Sequence, residues 1–211
     1  MLKVVVVDYG MGNLRSVYNK FRRMGVDCCL SADPAVIQQA QALILPGVGH
    51  YGKAMDRLQQ LDLLPLLHDR VLGEQIPVMG ICLGMQLLME HSEEGDAAGL
   101  GWIKGNTVKF RLDQTQLKVP HIGWNSVEPT RAHPVLEGLQ AGELVYFVHS
   151  YHVKLTEPAD ALHATDYGYT FISAVQKANI FGFQYHPEKS QDAGMTLLRN
   201  FVNLVKSPAY V

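Results

Sequence analysis

The sequence has few cysteines, no long apolar run and no excess of charge of either sign. Among 211 residues, 18 are Lys or Arg and 20 are Asp or Glu, which gives a formal net charge of -2. Basic residues are scattered and do not alternate with aromatic ones, so the sequence disfavours a nucleic-acid partner. No stretch approaches the roughly 20 apolar residues of a membrane helix, and Val4–Val7 is too short for a secretory signal. We expect no association with a membrane.

The three cysteines are an odd number, and Cys28 and Cys29 are adjacent, which is a poor arrangement for a structural disulfide. This usage favours a reduced, cytoplasmic location. Nine histidines include no HExxH motif and no close Cys/His cluster, so no metal site is predicted. His149 and His152 are expected to face opposite sides of one strand. Solvated or capped surface positions are expected for five others: His50, His68, His91, His133 and His163.

The residues that are present suit a folded α/β domain, because 47% are hydrophobic and only 18% are charged. In the first half, short apolar runs alternate with helical stretches. The predicted strands there are 3–7, 26–30, 42–45 and 77–81, and the predicted helices are 14–24, 34–39, 53–72 (broken near Pro65) and 85–90. This alternation predicts a parallel sheet with helices on both faces.

The second half has a different pattern, with short strands between turn residues and one closing helix. The predicted strands are 107–110, 126–128, 144–148, 152–155, 171–175 and 180–184, and the helix is 192–205. No linker, repeat or low-complexity segment interrupts the chain. We therefore predict one mixed α/β domain over residues 1–211.

The strongest local motif is Gly80-Ile81-Cys82-Leu83-Gly84, which follows a predicted strand and opens a helix. It has the form of the G-x-S-x-G nucleophile elbow with cysteine in place of serine. Flanking glycines allow the strained turn, the helix N-terminus favours the thiolate, and the Leu83 amide is directed at the oxyanion. A buried structural cysteine beside two helix-packing glycines is the alternative interpretation.

A second motif, Tyr185-His186-Pro187-Glu188, ends a strand. Pro187 prevents a helix there, and residues two apart in an extended segment face the same side. Glu188 can therefore orient the His186 imidazole, as the third member of a triad does. Taken alone, the motif could also be a surface turn with an incidental histidine.

A glycine-rich loop follows the third predicted strand, where open α/β sheets place their sites. Residues 47–53 match most of a phosphate-binding loop, but Ala54 lacks the hydroxyl that Mg²⁺ requires. Gly10-Met11-Gly12 does not complete a dinucleotide fingerprint either, because Arg15 stands at the third glycine position. We interpret Gly47, Val48 and Gly49 instead as a source of a second oxyanion donor.

Together the cysteine elbow, the glycine loop and His-Pro-Glu resemble the class I, or triad, glutamine amidotransferases over essentially the whole chain. Three segments narrow the resemblance to the glutaminase subunits of imidazole glycerol phosphate synthases, in histidine biosynthesis. They are Pro120–Asn125 (PHIGWN), Tyr146–Tyr151 (YFVHSY) and His186–Ser190 (HPEKS).

The resemblance implies a flavodoxin-like, mostly parallel sheet and a Cys82-His186-Glu188 triad that hydrolyses glutamine through a thioester. It also implies a glutamine pocket, bordered by Gly49, Leu83, Gln86, His149, Ser150 and Tyr151. Gln86 lies four residues after Cys82 and would face the same side of a helix, although an ordinary polar helix position would also explain it. No cofactor is implied.

A partner is implied as well, because free ammonia in water is mostly protonated and the sequence has no recognisable phosphosugar site. The family's partner is a (β/α)₈-barrel cyclase, which forms a heterodimer with the glutaminase. Pro120–Asn125 and Lys189 are candidates for transmitting contact with that partner. Glutamine would be the substrate, and the joint products would be imidazole glycerol phosphate and an aminoimidazole carboxamide ribotide.

Three alternatives stay open from the sequence. The same chemistry could serve another synthase, such as anthranilate synthase, although Pro120–Asn125 disfavours it. A cysteine peptidase or small-molecule hydrolase of related fold is disfavoured by Gln86 and by the order of His-Pro-Glu. A catalytically silent binding subunit is disfavoured by the complete set of triad residues.

Overall fold

The computed structural model describes residues 2–112 and 116–207. Thirteen strands, β1 to β13 in chain order, belong to its sheet. Their bounds are Lys3–Val7, Asp27–Ser31, Ala42–Gly47, Val78–Cys82, His91–Ser92, Ala97–Ala98, Gly105–Lys109, His121–Pro129, Glu143–His149, Tyr151–Leu155, Ala161–Asp166, Thr170–Lys177 and Ile180–Phe183. The helices α1 to α6 are Leu14–Arg23, Pro34–Gln38, Tyr51–Gln60, Leu64–His68, Leu83–Leu87 and Gln191–Lys206. Pro134–Leu136, Pro158–Asp160 and Pro187–Lys189 are single 3₁₀ turns.

Five neighbouring strands form the parallel half of the sheet, in the order β2-β1-β3-β4-β13. Val4–Val7 and every residue of β3 are buried, as expected of parallel strands that are covered on both faces. The carboxyl ends of these strands meet at one edge, where ligands bind in open α/β sheets. Cys82 is the last residue of β4.

Helices cover both faces of the parallel half. On one face Val4 and Val6 pack in the same cluster as Phe21 of α1 and Phe201 of α6. On the other face Val5 and Val7 pack with residues of α2, α3 and α5. The alternation of side chains along β1 thus supplies two cores. The predicted fold class, a mixed, mostly parallel sheet with helices on both faces, is confirmed.

Antiparallel strands extend the sheet beyond β13 through β12, β10 and β7. A branch leaves β12 through β11 to β8 and then to β9. The main path is narrow between β10 and β12, which share one register pair, Val153 with Ile172. Because β8 pairs with β11, which lies off the main path, the β8–β9 pair joins the sheet through this branch.

Several predicted boundaries change. The strand predicted at 126–128 is the central part of the longer β8, and β11 was not predicted. The helix predicted at 85–90 is the short α5, which begins directly after Cys82. The predicted break near Pro65 is confirmed, because α3 ends at Gln60 and α4 starts at Leu64.

The assignment of residues 1–211 to one domain stays a prediction. No helix within the described part of the chain is both long and apolar enough to cross a membrane.

Candidate active site

Cys82 has the backbone of a nucleophile elbow. Its φ of +54° is a left-handed conformation that few residues other than glycine adopt. It ends β4 and precedes α5 directly, so its side chain lies at the carboxyl edge of the parallel strands. The residue is only 5% exposed. Strain of this kind clusters at functional sites, which supports the functional interpretation of Cys82 over the structural one.

The flanking glycines are required by close backbone contacts. A Cβ atom on Gly80 would lie 2.6 Å from the Gly84 carbonyl oxygen. A Cβ atom on Gly84 would overlap with the carbonyl oxygen of Leu45 in β3. The elbow thus packs directly against the backbone of the neighbouring strand, and no side chain fits at either position.

His186 and Glu188 form a buried pair. The His186 Nδ1 atom lies 2.8 Å from Glu188 Oε1, and both side chains are 2% exposed. The pair follows β13 and is fixed to β9, because the His186 amide donates to the Tyr146 carbonyl oxygen at 2.9 Å. Ser190 Oγ donates to the His186 carbonyl and accepts a hydrogen bond from the Tyr146 amide. The predicted side-by-side arrangement of the two residues is confirmed.

The pKa of His186 is raised above its ordinary value. Burial alone would lower this pKa, but the interactions of the ring with Cys82 and Glu188 outweigh burial. Among the described residues, His186 Nε2 has no hydrogen-bond partner within bonding distance. Because Nδ1 is bound by Glu188, Nε2 is the atom available for proton transfer.

A cavity of about 440 Å³ opens beside Cys82. Its wall includes all six residues that were expected to border the glutamine pocket, together with Val48 of the expected oxyanion loop and Cys82 itself. The residues from the prediction are Val48, Gly49, Cys82, Leu83, Gln86, His149, Ser150 and Tyr151. Gly47 does not line the cavity, but it pairs with Cys82 across β3 and β4.

The Gln86 side chain is buried and held by two acceptors. Its Nε2 atom donates to the Tyr151 carbonyl oxygen at 2.9 Å and to Gln184 Oε1 at 3.0 Å. Gln184 Nε2 in turn lies 3.7 Å from Cys82 Sγ. Both amide hydrogens of Gln86 are used inside the protein, so only its oxygen can serve a ligand.

The glycine loop is anchored by a buried tyrosine. Tyr9 is fully buried and donates to the Pro46 carbonyl oxygen at 2.6 Å. Burial raises the pKa of Tyr9, and the nearby charge of Cys82 raises it further. A side chain on Gly47 would collide with the Tyr9 hydroxyl, and Gly49 has a φ of +113°. The loop therefore begins at Pro46, which is held in place, and at Gly49 its backbone can adopt conformations that other residues rarely adopt.

Sequence reasoning missed three residues of this site: Tyr9, Glu94 and Gln184. Glu94 lines the cavity, and one of its carboxylate oxygens accepts a hydrogen bond from the Tyr51 amide at 2.8 Å. None of the three lies in a motif that is recognisable in the sequence, and each is brought to the site by the folding of the chain. Pro120 and Lys189, which were predicted to transmit contact with a partner, also line the cavity.

Two expectations about histidines are wrong. His163 is fully buried and hydrogen-bonds to the Tyr185 hydroxyl at 2.9 Å. The rings of His149 and His152 do not point apart, because both pack on Phe110. The chain turns at Ser150, so the two residues belong to different strands.

No group of three His, Cys, Asp or Glu residues in the described segments could hold a metal ion.

The remaining histidines differ in exposure but lie at or near the surface. His50 is exposed, and His68, His91 and His133 are half-buried. His68 accepts a hydrogen bond from the Trp102 indole at 2.9 Å, and His133 caps the Val135 amide at 3.1 Å.

Comparisons with known proteins agree with this geometry. The family model described as glutamine amidotransferase class-I matches residues 5–205. An imidazole glycerol phosphate synthase subunit HisH from Salinibacter ruber is 47% identical over 204 residues, covering 94% of this chain and 93% of the relative. A second protein of that name, HisH 2 from Pseudomonas aeruginosa, is 46% identical and covers 96% of this chain and 100% of the relative. A glutamine amidotransferase crystal structure superposes with a TM-score of 0.76 at 18% identity, over 97% of this chain and 99% of that one, which shows the shared fold.

Proposed function

The chain belongs to the glutamine amidotransferase class-I family, and from that premise we propose that it is the glutaminase subunit of an imidazole glycerol phosphate synthase. It hydrolyses glutamine to glutamate and ammonia and supplies the ammonia to a cyclase partner. One observation carries the proposal. The strained Cys82 lines a cavity whose wall contains Gln86 and residues 149–151, and Cys82 interacts with the buried His186–Glu188 pair.

The first half of the reaction releases ammonia. The Cys82 thiolate attacks the side-chain amide carbon of glutamine, and a carbon–sulfur bond forms. The negative charge moves to the amide oxygen, which accepts hydrogen bonds from the Leu83 amide and an amide of Val48 or Gly49. His186 gives its Nε2 proton to the amide nitrogen, the carbon–nitrogen bond breaks, and ammonia leaves a glutamyl thioester.

The second half regenerates the enzyme. Neutral His186 takes a proton from water, and the resulting hydroxide adds to the thioester carbon. The carbon–sulfur bond then breaks, which releases glutamate and returns the thiolate. Glu188 holds Nδ1 of the imidazole in both halves and stabilises its charged form. The raised pKa of His186 suits the first half, because it keeps the ring protonated until ammonia departs.

The amino-acid end of glutamine binds at the other end of the cavity. The Glu94 carboxylate supplies a negative charge there, which suits the α-ammonium group. Gln86 Oε1 is a second acceptor for the same group, because both hydrogens on its nitrogen are already used. Ser150 and Tyr151 border the remainder of the substrate.

An exposed apolar surface supports the proposal of a protein partner. On β8, Ile122 is 60% exposed and Trp124 is 46% exposed, while Leu144 of β9 is 55% exposed. The antiparallel register brings these residues to one face of the strand pair. We call Ile122, Trp124 and Leu144 the β8–β9 apolar face. Exposed large apolar groups in one patch are typical of protein interfaces.

The β8–β9 apolar face adjoins the proposed active site through Tyr146. Trp124 contacts Tyr146 edge to face, with ring centroids 6.0 Å apart. The Lys189 ammonium lies over the same Tyr146 ring, 5.4 Å from its centroid, and Lys189 also lines the cavity. We propose that a (β/α)₈-barrel cyclase docks here, forms a heterodimer with this chain and receives the ammonia directly. A cytoplasmic location follows from the proposed pathway.

Glutaminase turnover tests the proposal in three conditions: the chain alone, with the cyclase, and with the cyclase and its own ligand. We expect slow hydrolysis by the chain alone and faster hydrolysis in each further condition. The reason is that one peptide rotation near Gly49 adds or removes an oxyanion donor, which changes the rate by about 10²–10³-fold. His186→Ala should lose about 10²–10⁴-fold in every condition. Absence of hydrolysis in all three conditions would refute the function, whereas equal turnover would refute only the gating.

A further inference from the structure

A continuous chain of hydrogen bonds connects the surface strand β8 to the Cys82 sulfur. Its members come from four separate segments of the sequence and were not linked by any motif. In spatial order they are the Asn125 amide, the His121 ring, the His149 ring, the Tyr151 carbonyl, the Gln86 amide, the Gln184 amide and Cys82 Sγ. The two rings at its centre are 2% and 6% exposed.

At the active-site end, the contacts of the Tyr151 carbonyl determine which groups in this series of hydrogen bonds donate. The Tyr151 carbonyl oxygen accepts from Gln86 Nε2 at 2.9 Å and contacts His149 Nδ1 at 2.7 Å. A carbonyl oxygen cannot donate, so His149 must carry a hydrogen on Nδ1.

At the surface end, the contacts of Asn125 independently give the same direction of hydrogen-bond donation. The Asn125 side-chain oxygen accepts from the Ser126 amide at 2.8 Å, and its nitrogen donates to the Asp166 carbonyl oxygen at 2.9 Å. These two contacts fix the orientation of the amide group. The nitrogen also faces His121 Nε2 at 3.2 Å, so that ring atom must accept. His121 therefore carries its hydrogen on Nδ1 as well.

The link between the two rings agrees with both ends. His121 Nδ1 lies 3.0 Å from His149 Nε2, so His121 donates and His149 Nε2 must accept, which requires that His149 be neutral. The acceptor role of His121 Nε2 toward Asn125 requires the same of His121. Burial favours the neutral form, because it lowers the pKa of His121 to about 4 and lowers the pKa of His149 well below its usual value. His121 is enclosed by stacked rings, Phe147 at 4.6 Å and Tyr167 at 3.9 Å between centroids.

The remaining links lead to the sulfur. Gln86 Nε2 donates to Gln184 Oε1 at 3.0 Å, so the nitrogen of Gln184 is turned toward Cys82 Sγ, 3.7 Å away. Donation therefore runs from Asn125 through His121 and His149 to the Tyr151 carbonyl oxygen, which also accepts from Gln86 on its other side. From Gln86 it runs through Gln184 to the sulfur.

We propose that His121 and His149, each neutral with its hydrogen on Nδ1, are positioning residues that fix the Tyr151 carbonyl and the Gln86 oxygen for binding of glutamine. This inference rests on the proposed function. His121 lies outside the cavity and acts through His149, which lines it. The opposite tautomer on either ring would set donor against donor at Asn125 or leave the Tyr151 carbonyl without its second hydrogen bond.

Two variants of His121 separate a positioning role from a packing role. His121→Phe fits among the surrounding rings but donates nothing to His149. His121→Asn places an amide nitrogen close to the position of Nδ1, so it can still donate. We expect the phenylalanine variant to raise the KM for glutamine about fivefold to tenfold, with kcat changed less, because one buried hydrogen bond is lost. The asparagine variant should stay within about twofold of the unchanged protein, and His91→Asn serves as a surface control. Thermal unfolding of each variant verifies that the fold is retained.

The tautomers themselves are measured without any activity. Long-range ¹H–¹⁵N correlation spectra of the full chain, labelled at histidine, distinguish Nδ1–H, Nε2–H and doubly protonated rings. We expect Nδ1–H signals for both His121 and His149 near neutral pH, assigned from spectra of His121→Asn and His149→Asn. An Nε2–H or charged ring at either position would overturn the inference whatever the activity of the chain. Equal KM values for folded His121→Phe and His121→Asn would also overturn it. Absence of glutaminase activity with Nδ1–H rings present would instead contradict the proposed function.

Discussion

The parallel and the antiparallel halves of the sheet position their parts of the site by different physical means. The parallel half holds Cys82 by backbone geometry: a positive φ, two glycines and direct contact with the Leu45 carbonyl. The antiparallel half holds its part by hydrogen bonds. The His186 amide donates to the Tyr146 carbonyl oxygen, and a series of bonds runs from His121 through His149 to the Tyr151 carbonyl. The first kind of support is steric and the second is polar. Substitution and pH should therefore affect the two halves differently.

Removal of the nucleophile should have the largest effect. Cys82→Ala should abolish glutamine hydrolysis, while the complex with the cyclase still forms product from added ammonium salt. The reason is that the thiolate serves only ammonia release. Cys29→Ala, on the edge strand β2, is the matched control and should hydrolyse glutamine normally. Residual glutaminase activity of Cys82→Ala within tenfold of the unchanged chain would remove Cys82 from the role of nucleophile.

Disruption of the steric support should cost stability as well as activity. Gly84→Ala forces a methyl group onto the Leu45 carbonyl oxygen, so α5 must move away from β3. We expect the free energy of unfolding to fall by about 3 kcal/mol. Gly52→Ala is the matched control, because a Cβ there lies 3.5 Å or more from its neighbours. Denaturant titrations of both variants measure the difference, and equal midpoints would contradict the steric account.

Acid should weaken the polar support in the antiparallel half. Burial lowers the pKa of His163 to about 4, whereas an unfolded histidine has a pKa of about 6.5. As pH falls below about 6.5 the unfolded chain gains this proton first, so stability decreases until about pH 4. The full effect of one such histidine is about 3 kcal/mol at most.

His163→Asn keeps a group that can bond to the Tyr185 hydroxyl but cannot be protonated. Its free energy of unfolding should therefore depend less on pH over this range, whatever its value at pH 7. The exposed His50→Asn, the same substitution at the surface, is the control. Parallel slopes for all three proteins would show that His163 does not contribute to acid sensitivity.

The smallest expected effect comes from Glu188→Gln, which keeps an acceptor for His186 Nδ1 and removes the charge. We expect turnover to fall by about tenfold, less than the roughly 10²–10⁴-fold expected for loss of the imidazole. The Glu188 carboxylate contributes to the raised pKa of His186, so its removal lowers that pKa. The alkaline limb of the pH–rate profile should move to lower pH. A Glu188→Gln variant as inactive as Cys82→Ala would require a larger role for Glu188.

The sequence predicted the features that depend on neighbours along the chain. The Cys82 elbow lies within five residues, and the His186–Glu188 pair needs only an extended segment and one proline. The predicted parallel strands follow from short apolar runs such as Val4–Val7. In each case the determining physics is local: steric limits on φ, the period of side chains along a strand, and burial on both faces.

The features that the sequence could not predict depend on register between distant segments. His121 meets His149 because β8 pairs with β9 in a register that places them opposite each other. The burial of His163 follows from β11, a strand that was not predicted. Glu94 reaches the cavity from the turn after β5. The residue types give no indication of these positions, because glutamate is usually exposed and histidine is neither strongly buried nor strongly exposed on average.

The main-chain bond between His186 and Tyr146 has a consequence for the design of hybrid enzymes. The β8–β9 pair carries Trp124 and Leu144, on the surface proposed to bind the partner, and its Tyr146 carbonyl also holds the amide of His186, the proposed general base. A transplant of the β8–β9 pair, made to redirect the chain to a new synthase, would therefore also reset the position of the imidazole. We therefore expect a hybrid that takes residues 121–149 and 184–190 from the same parent to keep more glutaminase activity than one that takes them from different parents.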